Sequence, residues 1–154
     1  MHALPSHQLK EKWVSEKLKL NTGVTDIALQ LFEENYKVKI PVDLRKFYLL
    51  ANGMEMNETD ADLIRFWSIE ELKPISEAAS AYFDHDYLQS VETYFLFADY
   101  SIWSHTYAIS LTSSLSSENT ICVIGANQPI FLANSFSEFI NKYLDGKVLE
   151  FLKS

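Results

Sequence analysis

The chain has 154 residues, 47% hydrophobic and 14% aromatic, enough for one domain that buries roughly 68–70% of the surface its unfolded form exposes. Only four glycines and four prolines punctuate it, which excludes a collagenous, low-complexity or disordered chain. The single cysteine, Cys122, excludes an intramolecular disulfide and a cysteine-based zinc site, and the formal net charge of −8 disfavours a phosphate backbone as direct partner.

The acidity is concentrated. Residues 1–53 carry eight Lys/Arg against six Asp/Glu, residues 54–100 carry two against eleven, and residues 101–154 carry three against four. The middle third therefore holds a balance of −9 and would attract a basic partner. The start, MHALPSHQLKEKW, lacks the basic patch and apolar run of a secretory signal, and no apolar run approaches the ~18 residues of a membrane span. The expectation is a soluble, cytoplasmic protein with no membrane contact. Asn57-Glu58-Thr59 fits a glycosylation sequon, which carries little weight without an export signal.

In chain order, Trp13, Lys17 and Leu20 at intervals of four and three predict a first helix with a narrow apolar stripe. Val24, Ile27, Ala28, Leu31 and Phe32 follow the i, i+3, i+4, i+7, i+8 pattern and predict a second, with Thr25 as its N-cap and Asp26 at the positive end of its dipole. Pro41 opens a third, whose apolar face is Leu44, Phe47, Tyr48 and Ala51, and Asn52-Gly53 is expected to end it with a left-handed residue. The period then changes to that of strands at 63–68, 94–98, 106–111, 120–124 and 129–133. The last three are joined by segments too short for a crossover helix, so they should run antiparallel. Between the first two strands, 70–92 is expected to hold a short helix around Ser76 to Phe83. Ser135 and Glu138 form a capping box for a closing helix on Phe136, Phe139, Ile140, Tyr143 and Leu144, ended by Gly146, and a last apolar turn at Val148 to Leu152 should dock. The fold class that results is α+β, a central antiparallel sheet of about five strands with N-terminal helices and a C-terminal helix packed on it. Residues 1–154 read as a single domain.

Residue types that carry chemistry are few. Asp99, Ser101 and His105 have the composition of a nucleophilic triad, but no G-x-S-x-G occurs and no glycine lies between Gly53 and Gly125, so the segment reads as a polar loop between strands. Asp84-His85-Asp86 offers metal-donor types without ligand spacing and reads as a solvated acidic loop. Cys122, in the apolar stretch TICVIG, reads as a small core residue. Neither a Walker-type nor a dinucleotide glycine signature is present. No catalytic, cofactor-binding or metal residues are assigned. What remains is the acidic, aromatic middle: Glu55, Glu58, Asp60, Asp62, Asp84, Asp86, Asp99, Tyr100 and Trp103 are the candidate partner-binding residues.

The stretch I-P-x-D-L-x-x-F-Y-x-x-x-N-G, here Pro41, Asp43, Leu44, Phe47, Tyr48, Asn52 and Gly53, followed by FWSIEEL, FLFADYS and SFSEFINKYL, resembles the SUKH superfamily, whose best-known branch is the Smi/Knr cell-wall regulator family. The resemblance runs from about Val24 to Leu144. It implies an α+β domain with a central antiparallel sheet and no catalytic residues. In bacteria it implies an immunity protein that binds and neutralises a cognate toxin of a polymorphic toxin system, often a nuclease; in fungi, a regulator that works by protein contacts. The expectation is thus a non-catalytic binding module with a basic toxin domain as its protein partner. A regulatory or scaffold protein is the first alternative and a small hydrolase-like enzyme the second.

Overall fold

The computed structural model describes residues 4–78, 83–115, 118–125 and 128–150. Its centre is an antiparallel sheet in the order β3 (Ile64–Phe66), β5 (Tyr94–Tyr100), β6 (His105–Ser110), β7 (Ile121–Ile124), β8 (Ile130–Ala133), with the two-residue β4 (Lys73–Pro74) also paired to β5. The five expected strands are these, and β6, β7 and β8 form the expected antiparallel meander. A separate small sheet pairs β1 (Leu20–Thr22) with β2 (Ala51–Met54).

Alternation sorts the strands' side chains onto two faces. Ile64, Phe66, Phe95, Phe97, Tyr107, Ile109, Ile121 and Val123 join the larger hydrophobic cluster. They meet Leu9 and Trp13 of α1 (Ser6–Ser15), Leu29 and Phe32 of α2 (Asp26–Tyr36), Phe47 of α3 (Val42–Leu50), and Phe136, Phe139 and Ile140 of α6 (Phe136–Leu144). On the other face Trp67, Leu96, Ala108, Cys122 and Ile124 form a smaller cluster with Ile75 of α4 (Ile75–Ala78), Tyr87 of α5 (His85–Ser90) and Val91. The result is an α+β fold with helices, C-terminal helix included, covering one face of the sheet and two short helices on the other.

Several local expectations are corrected. The first helix lies earlier, at Ser6–Ser15, because Lys17 takes a positive φ of 56° and Leu20 enters β1. In α2, Thr25 does cap the helix, accepting from the Ala28 amide at 3.2 Å, but the buried residues are Leu29 and Phe32, while Ile27 and Leu31 point to solvent. Asp84-His85-Asp86 is not a loop: Asp84 caps α5, accepting from the Tyr87 amide at 2.9 Å. The helix expected around Ser76 to Phe83 is described only as α4, since 79–82 lie outside the described residues, as do 151–152 of the last expected turn. Val148 of that turn is buried. In α6, Ser135 caps the Glu138 amide at 3.1 Å, whereas the Glu138 carboxylate accepts from Asn134, one residue before the cap.

Asn52-Gly53 does not stop α3. The helix ends at Leu50, Ala51 is extended, and Asn52-Gly53 lies inside β2. Its work there is to grip the segment after β3. The Asn52 Oδ1 accepts from the Ile69 amide at 2.7 Å, its Nδ2 donates to both Glu70 oxygens at 2.9 and 3.0 Å, and the Tyr48 hydroxyl donates to the Trp67 carbonyl at 3.2 Å. Gly53 sits at φ +71°, and a Cβ there would lie 2.5 Å from the Trp67 carbonyl carbon and oxygen, so only glycine fits. Earlier in the same motif, Asp43 accepts from the Ser137 amide and hydroxyl at 2.8 and 2.9 Å, tying α3 to the start of α6.

Candidate functional site

Residues 55–63 form a loop clamped to the chain just after α1. The Glu55 amide donates to the Lys19 carbonyl at 2.9 Å, the Lys19 amide to Glu58 at 2.7 Å, and the Ala61 amide to Glu16 at 2.6 Å. Glu55 and Asp62 are exposed and Glu58 is half-buried. Asp60 is not on this surface. It is buried, accepts from the Asp62 and Ile64 amides at 2.8 and 2.9 Å, and accepts from the Tyr143 hydroxyl, which itself accepts from the Trp13 indole at 3.0 Å. Burial raises its pKa, against the hydrogen bonds that hold the carboxylate.

Asp99 is internal as well. In β5 a register shift between Leu96 and Ala98 admits Phe97 as an extra residue, so Phe97 and Ala98 both face the larger cluster. The phase beyond the bulge turns Asp99 to the other face, where it accepts from the Trp67 indole at 2.8 Å, and burial raises its pKa. Tyr100 falls back on the helix-covered face, half-buried and stacked on His105 at 4.8 Å between ring centroids. His105 Nε2 lies 3.0 Å from the Tyr107 hydroxyl, and burial pulls its pKa down to about 4. Asp99 and His105 thus lie on opposite faces of the sheet, which is incompatible with a triad including Ser101.

Between Tyr100 and His105 the hairpin turns through Ser101, Ile102 and Trp103, all with positive φ, at 49°, 52° and 67°. Each such non-glycine residue costs of order 1–3 kcal/mol, and a β-branched residue is especially disfavoured there. The turn is held at its base by Ser104 amide to Tyr100 carbonyl at 3.0 Å, by Ser104 hydroxyl to Ser101 carbonyl at 2.9 Å, and by Ser101 amide to Leu63 carbonyl at 2.8 Å. Leu63 is itself at φ 67°. Ile102 is 86% exposed, Trp103 50% and Leu63 47%, while the Trp103 ring leans on Trp67 at 4.9 Å. Loop and turn therefore meet at the Ser101–Leu63 hydrogen bond, where the exposed apolar side chains of Leu63, Ile102 and Trp103 follow the exposed Asp62. Leu63 and Ile102 were not among the sequence candidates; the signal for Ile102 is two large apolar side chains between serines in a four-residue hairpin loop.

Asp84 and Asp86 are elsewhere. They project, exposed, from α5 at the rim of a groove whose lining contains none of residues 55–62 or 99–103. Cys122 lies in that groove's floor, buried, with its thiol pushed up to about 12 by burial. Among the described residues no group of three or more His, Cys, Asp or Glu could hold a metal ion, and no helix is long and apolar enough to cross a membrane.

No curated protein matches the chain. A model of the SMI1 / KNR4 family (SUKH-1) matches residues 23–142, which takes in the Pro41 to Gly53 motif, the loop, the turn and most of α6. The chain belongs to the SMI1 / KNR4 family (SUKH-1).

Proposed function

We propose that the protein is a non-catalytic binding module of the immunity type, a single domain acting in the cytoplasm, which captures and neutralises a basic toxin domain. The observation that carries this reading is the hairpin turn at Ser101–Trp103. Three successive non-glycine residues sit in the left-handed region and expose Ile102 and Trp103, and backbone strain of this kind clusters at functional sites. Exposed aromatic and aliphatic side chains on a rigid base are the form that binding hot spots take. Glu55, Glu58 and Asp62 in the loop joined to the turn through Leu63, with Asp84 and Asp86 at α5, supply the negative field that speeds encounter with a cationic surface. Family membership supports the same reading, since such proteins commonly serve as immunity proteins.

Asp60, Asp99 and the buried side of Tyr100 support this surface from beneath. The test is co-expression with the product of the gene directly upstream, in cells whose growth that product arrests. Wild-type chain restores growth and co-elutes with the product on a sizing column. Failure to restore growth together with failure to form the complex contradicts the immunity reading and leaves the regulator reading in its place.

A further inference from the structure

Among the described residues, the second face of the sheet is only partly covered. Beyond α5 it opens into a groove of about 530 Å³ that runs over β7 to the edge strand β8. Its walls include Tyr87, Tyr94 and Phe131, the last 58% exposed, and its rim carries Asp84 and Asp86. No lysine or arginine lines it among the described residues. One oxygen of Asp84 is committed to the helix cap, which leaves the other oxygen and the whole Asp86 carboxylate for an incoming group. The groove therefore offers aromatic walls and two carboxylates with no lysine or arginine among its described lining, a combination that fits a cation with an apolar stem.

We infer that this groove is a second docking site, which receives an arginine-bearing segment of the basic protein partner. The inference deepens the binding-module reading and rests on it for the partner's identity, but the groove's chemistry can be tested without that partner. A guanidinium suits the site better than an ammonium. It is more weakly hydrated, stacks flat on aromatic rings and presents a planar fork of donors to carboxylates. The alkyl stem and a neighbouring apolar residue would lie along Phe131, which otherwise stands in water at the open edge of the sheet.

The probe is a five-residue capped peptide alternating leucine and arginine, titrated into the full chain and followed by amide and aromatic chemical shifts. Saturable shifts confined to α5, Tyr94, β7 and Phe131 are expected. They should weaken about tenfold in D84N/D86N, where asparagine can still cap α5, and weaken strongly as salt rises. The same peptide with citrulline in place of arginine should bind about tenfold less well. No saturable shift, equal binding of the citrulline peptide, equal binding by D84N/D86N, or shifts centred on Ser101–Trp103 would each overturn the assignment. The peptide titration needs no toxin domain, so failure of the groove and failure of the turn as the toxin contact are read in separate experiments.

Discussion

The indole of Trp103 rests on that of Trp67, 4.9 Å between centroids and tilted by 42°, and the Trp67 indole nitrogen in turn donates to Asp99 at 2.8 Å. This stack joins a half-exposed ring to a buried one, so the turn's outer surface is fixed by the core beneath it. Ile102, which has no such support, is held out at φ 52° by its neighbours. Replacing it with glycine removes the left-handed penalty along with the exposed side chain. I102G should therefore gain about 1 kcal/mol, or 2–4 °C in Tm, against the small loss usual for a surface residue changed to glycine. Thermal unfolding checks this, and a lowered Tm would mean the turn is not strained.

A second prediction concerns the grip of β2 on the segment after β3. N52A leaves the buried Ile69 amide without its acceptor and should cost roughly 2 kcal/mol. G53A must move the Trp67 carbonyl as well as adopt a positive φ, and should cost more than N52A, at least ~3 kcal/mol. Urea unfolding of the two variants gives the order.

Asp60 is held inside the fold by Tyr143 and two backbone amides, and Tyr143 tests that role. In Y143F the Asp60 carboxylate loses a donor and the Trp13 indole loses its acceptor, both in buried surroundings. The expected loss is roughly 3 kcal/mol, since each stranded group costs about 1–3. If Y143F folds at low temperature it should still bind the partner with wild-type affinity.

His105 makes stability depend on pH. Its folded pKa is lowered to about 4 by burial, from an ordinary value near 6.5. The unfolded chain therefore takes up a proton in a window where the folded chain does not, and stability falls as pH drops from about 6.5 towards about 4. Between pH 7 and pH 5 the loss should be roughly 2 kcal/mol. Asp60 and Asp99, whose pKa values are raised by burial, act in the opposite sense as they take up protons. H105Q should flatten the slope between pH 7 and pH 5, as read by denaturant midpoints at each pH.

The sheet and its helices were legible because their signals are local. Period-two runs at 94–98 and 106–111, and the Ser135 cap before an apolar helix face, say what they become without reference to the rest of the chain. The face of α2 was not legible, because Ile27, Leu29, Leu31 and Phe32 form an apolar arc wider than the buried sector, and only packing decides which part turns inward. Asn52-Gly53 carries the composition of a helix stop, yet Ala51 is extended and pairs with Thr22, so tertiary pairing overrode local preference.

The candidate surface was half legible for a similar reason. Acidic residues read as exposed by default, which holds for Glu55, Asp62, Asp84 and Asp86. Asp60 departs from it because a tyrosine eighty-three residues away supplies a donor, and Asp99 because the bulge at Phe97 shifts the phase of β5. Neither cause leaves a mark in the neighbouring sequence. Nor does the left-handed backbone at Ile102, which no residue of that type announces.

We propose that the turn at Ser101–Trp103 is what the partner grips. Its most direct test is the affinity of purified wild-type chain and of I102G and W103A, each checked for native fold, for the domain encoded directly upstream, by calorimetric titration. A tight wild-type complex is expected, which each substitution weakens by about 30-fold or more, as for hot-spot side chains worth about 2 kcal/mol or above. Wild-type affinity in both folded variants would contradict it.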